Sequence, residues 1–292
     1  MSKKVGICTF HYAVNPGSAL QAYALYKTIG SFLSDLEVRI VNYQGTRYRN
    51  IFLSFTPKRS LSGNLLQLHR MFSFFHYQRF WNCIGGLGKR MDEDNVGKLS
   101  GYDVIVAGSD QIWNFKLTHR NFNYLIPFCK DAKKISYAAS IGSQDFPEED
   151  KDIIARYLKN FSFLSVREPE AQLAIERLIG RKPELVVDPS FLLQSSDYEK
   201  MAKKPCIKND YVFLYLRRKD GEVVPFARSF AKKNGLQIVE WHSHIRKIYK
   251  DDKIVRWQGP KEWLGYLLNA KYVFTDSFML AHFASIVISR FL

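Results

Sequence analysis

The chain has 292 residues, 46% apolar and 24% charged, close to the globular average. That length divides into about two domains and can bury about three quarters of its unfolded surface, which excludes disorder as the main state. Lys and Arg number 43 against 28 Asp and Glu, a net charge of +15 that favours anionic partners such as phosphates, nucleic acid, acidic lipids or acidic glycans. The four cysteines are widely spaced and form no C-x-x-C, which excludes a zinc ribbon and thioredoxin-type chemistry and fits a reducing compartment. The apolar run Val5 to Phe10 is too short for a signal-peptide core. No apolar run reaches the roughly 18 residues of a membrane span, so a cytoplasmic protein is expected.

In chain order, Lys4 to Phe10 reads as a buried strand, His11 to Ser18 as a loop, Ala19 to Ile29 as a helix and Val38 to Tyr43 as a second strand. This β-loop-α-β opening starts a parallel sheet. Residues 44–100 are basic and aromatic, and read as a loop with one or two helices. Strands resume at Val104 to Ala107, Ile135 to Ala138, Leu164 to Val166 and Leu185 to Val187, with helices near 148–160 and 168–179. Strands alternating with helices predict a doubly wound α/β sheet. A polar, basic stretch at 196–210 reads as the linker between a first domain at 1–195, with a helical insertion near 50–100, and a second at 211–292. In the second, strands are expected at Tyr211 to Leu216, Leu236 to Trp241 and Tyr272 to Thr275, and helices near 222–234 and over Lys261 to Asn269.

Several clusters carry chemistry. Asn15-Pro-Gly-Ser18 opens the first helix, where backbone N–H groups can hold an anion; the alternative is an ordinary turn with Ser18 as N-cap. Gly108-Ser-Asp-Gln111 ends a strand, at the sheet edge where open α/β folds bind ligands; the alternative is a strand-to-helix turn with Trp113 in the core. Arg167 can grip a phosphate or carboxylate through two parallel hydrogen bonds, or can pair with Glu168. Asp188, before a proline, reads better as a turn element than as a ligand group. Arg217 and Arg218 put cations after the first strand of the second domain, as ligand groups or as a solvated turn. His242-Ser-His244 supplies two potential ligands without a third, so no metal site is expected. The aromatic, basic segment 57–90 suits RNA or lipid headgroups, or a helix that buries its aromatics. No aromatic pattern of an RNA-recognition motif appears, so nucleic acid is not an expected partner.

The ordered set of Thr9 to Ala24, Asp103 to Trp113, Lys134 to Gly142, Ser165 to Glu168, Val187 to Leu192 and Ala270 to Phe278 resembles the polysaccharide pyruvyl transferase family. The resemblance implies an α/β fold of two Rossmann-like domains facing a cleft, as in many glycosyltransferases. It implies transfer of the pyruvyl or enolpyruvyl group of phosphoenolpyruvate to a sugar in surface-polysaccharide synthesis, with no metal or organic cofactor. The expected partners are phosphoenolpyruvate and a sugar or lipid-linked oligosaccharide acceptor, with peripheral contact at the inner membrane face. Phosphoenolpyruvate carries a phosphate and a carboxylate, for which arginine is the suited partner. The resemblance therefore points to Asn15, Gly17, Ser18, Gln21, Ser109, Arg167, Arg217, Arg218, Asp276 and Ser277 as substrate-binding residues. Asp110 is expected to hold or deprotonate an acceptor hydroxyl.

One departure stands out. After Asp-Ser-Phe the family has His-Gly-Thr, and that His is its leading candidate for proton transfer; here Met279-Leu-Ala-His282 follows. If Phe278 is TTC and Leu280 is CTN, the neighbouring reading frame gives His then Ala, so residues 279–292 are expected to be a frameshifted tail. On that reading the second domain is cut short, activity is impaired, and Val273, Phe274, Phe283, Ile286 and Phe291 lack partners. The alternative is a true variant in which His282, one helical turn further on, takes the catalytic place. Two other functions stay open: a non-catalytic anion-binding remnant, and a glycosyltransferase of related fold.

Overall fold

The structure is a computed structural model that describes residues 2–32, 35–53, 61–216, 223–241, 252–256 and 258–287. The chain gathers into two compact units: Met1–Ala13, Ser18–Asn50 and Trp81–Leu193 in one, and Val14–Gly17, Ile51–Phe80 and Gln194–Leu292 in the other.

The first unit is built on parallel strands β1 (Lys3–Cys8), β2 (Leu36–Ile40), β3 (Val104–Ala107) and β4 (Lys133–Ser136), in spatial order β2-β1-β3-β4. Ile7 lies opposite both Ile40 and Val106, so the β1 centre is apolar on each flank. Helix α1 (Pro16–Phe32) links β1 to β2, and its Ala19, Leu20, Ala22, Ala24 and Leu25 are buried. Strands β5 (Ser165–Val166) and β6 (Glu184–Leu185) pair with each other, and bridges Ile135–Phe163 and Ala139–Val166 carry the pairing from the β4 side to β5. Helices α4 (Lys151–Leu158) and α5 (Pro169–Ile179) lie between them in the chain. Buried Trp113, Phe115, Phe161, Ile154 and Ile175 fill this core. The mixed α/β fold with parallel sheets agrees with the sequence reading.

The second unit has its own parallel sheet: β7 (Tyr211–Tyr215), β8 (Gln237–Trp241), β9 (Lys253–Val255) and β10 (Tyr272–Thr275), in order β10-β7-β8-β9. Helix α7 (Val223–Lys233) buries Ala227 and Ala231 against Val212, Leu214 and Ile238. Helices α8 (Pro260–Leu268) and α9 (Phe278–Val287) flank β10 in the chain.

Some elements differ from the sequence reading. Residues 196–210, read as a linker, begin within helix α6 (Ser195–Met201), whose Tyr198 is fully buried. The basic, aromatic stretch forms α2 (Thr46–Leu53) and α3 (Leu61–Ile84). Its Ile51–Phe80 part gathers with the second unit rather than inside 1–195, because a helix burying Phe74, Tyr77 and Phe80 needs a packed neighbour to cover that face. Nor do the aromatics near the chain end lack partners. Phe283 is fully buried with its ring edge-on to Tyr198 and Trp263, at 5.5 and 5.8 Å. Phe274 packs on Phe226 and Phe230. Phe291 lies outside the described residues.

Candidate functional site

In the first sheet β2 and β3 lie on opposite sides of β1. The loops after β1 and β3 therefore leave in opposite directions and open a crevice at their C-terminal ends, where such sheets bind ligands. Gly108 lets the two loops close together, since a Cβ there would come within 3.0 Å of the Thr9 Cβ. The Thr9 hydroxyl donates to the Ser109 carbonyl at 2.6 Å. Gln21, fully buried on α1, donates through Nε2 to Thr9 Oγ1 at 3.2 Å and to the Ser18 carbonyl at 3.0 Å. Its Oε1 is buried and accepts no hydrogen bond from the described residues.

Asp110 follows in a left-handed conformation, φ 76°, which Asp tolerates better than most residues. Its Oδ1 accepts the Gln111 N–H at 2.8 Å, and its Oδ2 accepts the Ser18 hydroxyl at 2.5 Å. The carboxylate is half-buried, and each oxygen keeps a lone pair for a further donor.

Behind it lies a buried ion pair. Arg167, its side chain 11% exposed, donates through Nη1 to Asp188 Oδ2 at 2.8 Å and through Nε to Glu168 Oε1 at 3.0 Å. The Ser109 hydroxyl donates to the same Asp188 oxygen at 3.0 Å. Asp188 Oδ1 accepts both the N–H and the hydroxyl of Ser190, at 3.0 and 2.7 Å. Burial works to raise the Asp188 carboxyl, but the Arg167 charge and the Ser190 donors outweigh it and hold it below its ordinary value. Burial likewise works to lower Arg167, and Asp188, Asp110 and Glu168 reverse that. The turn reading of Asp188 is right for its position but misses this pairing. Arg167 is committed to two carboxylates, not to Glu168 alone.

Beside Thr9, His11 is fully buried, with Nδ1 3.2 Å from the Thr9 carbonyl and Nε2 3.0 Å from Asn42 Oδ1. Burial lowers its pKa to about 4, so it is neutral at physiological pH. Sequence reasoning passed over Thr9, His11 and Asn42; Val-Asp-Pro was the only local signal for Asp188.

The other expected residues fall in the second unit. Asn15 Oδ1 accepts the Gly17 N–H at 3.0 Å, so Asn15, not Ser18, caps α1, with Pro16 at the first helical position. Ser18 sits inside the first turn and faces Asp110. A Cβ on Gly17 would come within 2.9 Å of the Met279 Cβ, so that glycine serves close packing. Asp276 is exposed; Ser277 is buried and accepts the Leu280 N–H at 3.4 Å as the cap of α9. His282 is half-buried on α9, its ring 6.1 Å from that of Phe283. Arg217, Arg218, His242 and His244 lie outside the described residues. Among the described residues no cluster of three His, Cys, Asp or Glu can hold a metal. A cavity of about 520 Å³ lined by Lys4, Arg39, Lys89 and Lys98 lies where β1 and β2 begin, away from this crevice.

The family model described as polysaccharide pyruvyl transferase matches residues 15–278. The chain belongs to that family. Membership makes it a relative of polysaccharide-modifying transferases. The match spans Asn15 through Ser277 and stops at Phe278, one residue before the departure read in the sequence. Among solved structures, the UDP-GlcNAc 2-epimerase of Methanocaldococcus jannaschii aligns at 13% identity and TM-score 0.47, over 98% of this chain and 82% of that one. A putative UDP-N-acetylglucosamine 2-epimerase of Listeria monocytogenes aligns at 10% identity and TM-score 0.49, over 96% and 76%. No curated protein matches. Among the described residues no helix is long and apolar enough to cross a membrane.

Proposed function

We propose that this chain transfers the pyruvyl group of phosphoenolpyruvate to a sugar of a surface polysaccharide. In the ketal-forming version, one acceptor hydroxyl adds to C2 of the enol phosphate while the methylene carbon takes up a proton and becomes a methyl group. A second hydroxyl then displaces phosphate and closes the ring, its proton leaving with the phosphate. The step needs a group to accept a hydroxyl proton and cations to hold a phosphate and a carboxylate.

The observation that supports this reading best is the Asp110 carboxylate, half-buried at the β1/β3 crevice and fixed by Ser18 and Gln111. Those two donors aim it, and each of its oxygens keeps acceptor capacity for an incoming hydroxyl. Ser109 and Gln21 supply further polar groups beside it. Arg217 and Arg218, following β7 in the sequence, are the proposed phosphate and carboxylate ligands. Asn15, Gly17, Asp276 and Ser277 are proposed as further substrate-binding residues. The acceptor is a sugar or lipid-linked oligosaccharide.

The test is release of inorganic phosphate from phosphoenolpyruvate with an oligosaccharide acceptor. Asp110→Asn preserves the shape of the side chain and one of its two acceptor positions, and is expected to slow release by roughly 100-fold or more. Phosphate release unchanged in that variant would remove Asp110 from the chemistry. A second reading follows from Met279, which stands where the resemblance implies a histidine. Binding of phosphoenolpyruvate with no phosphate release in the wild type would favour a non-catalytic ligand-binding protein. Turnover of a sugar nucleotide instead would favour a glycosyltransferase.

A further inference from the structure

The cavity where β1 and β2 begin has no part in the transfer chemistry proposed above. Its volume of about 520 Å³ is that of a small-molecule site. Three stretches of the first unit build it: the starts of β1 and β2, residues 89–91, and the turn over 95–102 that leads into β3. Residues 86–91 run alongside β2. The Ile40 N–H donates to the Gly86 carbonyl at 2.7 Å, the Gly88 N–H to the Ile40 carbonyl at 2.9 Å and the Met91 N–H to the Asn42 carbonyl at 2.9 Å. That pairing brings Lys89 and Arg90 to the cavity. The Tyr102 ring lines it where two glycines make room. A Cβ on Gly6 would come within 3.0 Å of the ring, and one on Gly88 within 3.4 Å of its hydroxyl.

Charge says what the cavity takes. Among the described residues Lys4, Arg39, Lys89, Arg90 and Lys98 line it, against one carboxylate, that of Glu37. Glu37 is already shared by Lys4 and Arg39, each at 3.4 Å. Lys89, Arg90 and Lys98 are exposed and make no ion pair with the described residues. Asp92, Glu93 and Asp94 stand on the same stretch of chain but do not line the cavity. Glu93 is turned to Thr46, whose N–H and hydroxyl it accepts at 2.9 and 2.6 Å. Single exposed cations are ordinary; three without counter-charges around one concavity repel one another, and a bound anion relieves that repulsion. A lone ion would leave most of the volume empty. We propose that this cavity binds a small molecule carrying two linked phosphates, held by Lys89, Arg90 and Lys98, with Tyr102 facing whatever the phosphates carry. The site lies at the opposite ends of the strands from the β1/β3 crevice, so it does not depend on the transfer reading.

The test is isothermal titration calorimetry of the full chain with ADP, inorganic pyrophosphate and inorganic phosphate, without divalent cations. ADP and pyrophosphate are expected to bind, more weakly as salt rises, and inorganic phosphate roughly tenfold more weakly than either. Lys89→Glu/Lys98→Glu is expected to weaken ADP binding by roughly tenfold or more. Both side chains are exposed, so circular dichroism should be unchanged; Arg90→Gln is the independent second variant and should weaken binding as well. Tighter binding of ADP than of pyrophosphate supports a ligand whose ring packs on Tyr102, and equal binding supports recognition of the diphosphate group itself. The proposal is overturned if neither ligand binds, if inorganic phosphate binds as tightly, or if the double variant keeps its affinity. It is equally overturned if the chain binds RNA while ADP and pyrophosphate stay unbound. Diphosphate binding without phosphate release from phosphoenolpyruvate would leave this site standing and remove the transfer reading; phosphate release without diphosphate binding would do the reverse.

Discussion

Arg167 follows β5 and Asp188 follows β6, and the fold brings their charges to 2.8 Å in a buried setting. Removing one partner strands the other. Arg167→Ala is expected to cost about 3–5 kcal/mol, read from urea unfolding. Arg167→Met/Asp188→Leu replaces the pair with apolar bulk and should recover most of that stability. If the double variant is stable yet releases no phosphate, the cation acts on the substrate as well as on the fold. His11 gives a second residue-scale expectation. Its folded pKa is about 4 against an ordinary 6.5, so between those values the unfolded chain takes up a proton that the folded chain refuses. Its contribution is fully present above 6.5 and is lost as pH falls toward 4, by roughly 3 kcal/mol at most. Unfolding midpoints at neutral pH and near about pH 5 should differ less in His11→Gln than in the wild type. An equal slope in both would show that other groups set the acid limit.

At the scale of elements, α9 is held by what it buries. Leu280, Phe283 and Ala284 are fully buried, and the Phe283 ring meets Tyr198 of α6 and Trp263 of α8. Phe283→Ala should cost about 3–5 kcal/mol and speed amide exchange across α9 and α6 first. A loss below about 1 kcal/mol would mean the helix contributes little to the second unit. The same packing shows why the end of the chain was misread. Its apolar residues look unpartnered along the sequence because their partners come from α6 and α8. Strand β9 and helix α6 escaped the sequence reading for a related reason. Three residues, Lys253–Val255, are too few to show a period, and Ser195–Met201 reads as polar linker although it buries Tyr198.

At the scale of the whole molecule, the +15 charge works against compactness through self-repulsion. Raising ionic strength from about 0.01 to 0.15 M shortens the screening length from about 30 to 8 Å, and the melting temperature is expected to rise by about 2–4 °C. A fall would show that attractive pairs such as Arg120–Asp150 and Lys271–Asp210 dominate instead. The alternating strands and helices, the parallel sheets and the family were legible in the sequence, because period, turn chemistry and the ordered motifs are local properties. Ser109 and Asp110 were legible as site candidates because they end a strand. What joins Ser18 to Asp110, or Asp188 to Arg167 and Ser109, is strand order, and no local pattern encodes which strand lies beside which. The division of the α3 aromatics into buried and exposed was likewise hidden in a run that reads as basic and aromatic throughout. Sequence alone fixed the residue types and their periods; only the tertiary structure decided which of those aromatics found a core and which charges found each other, because burial and pairing depend on neighbours far away in the chain.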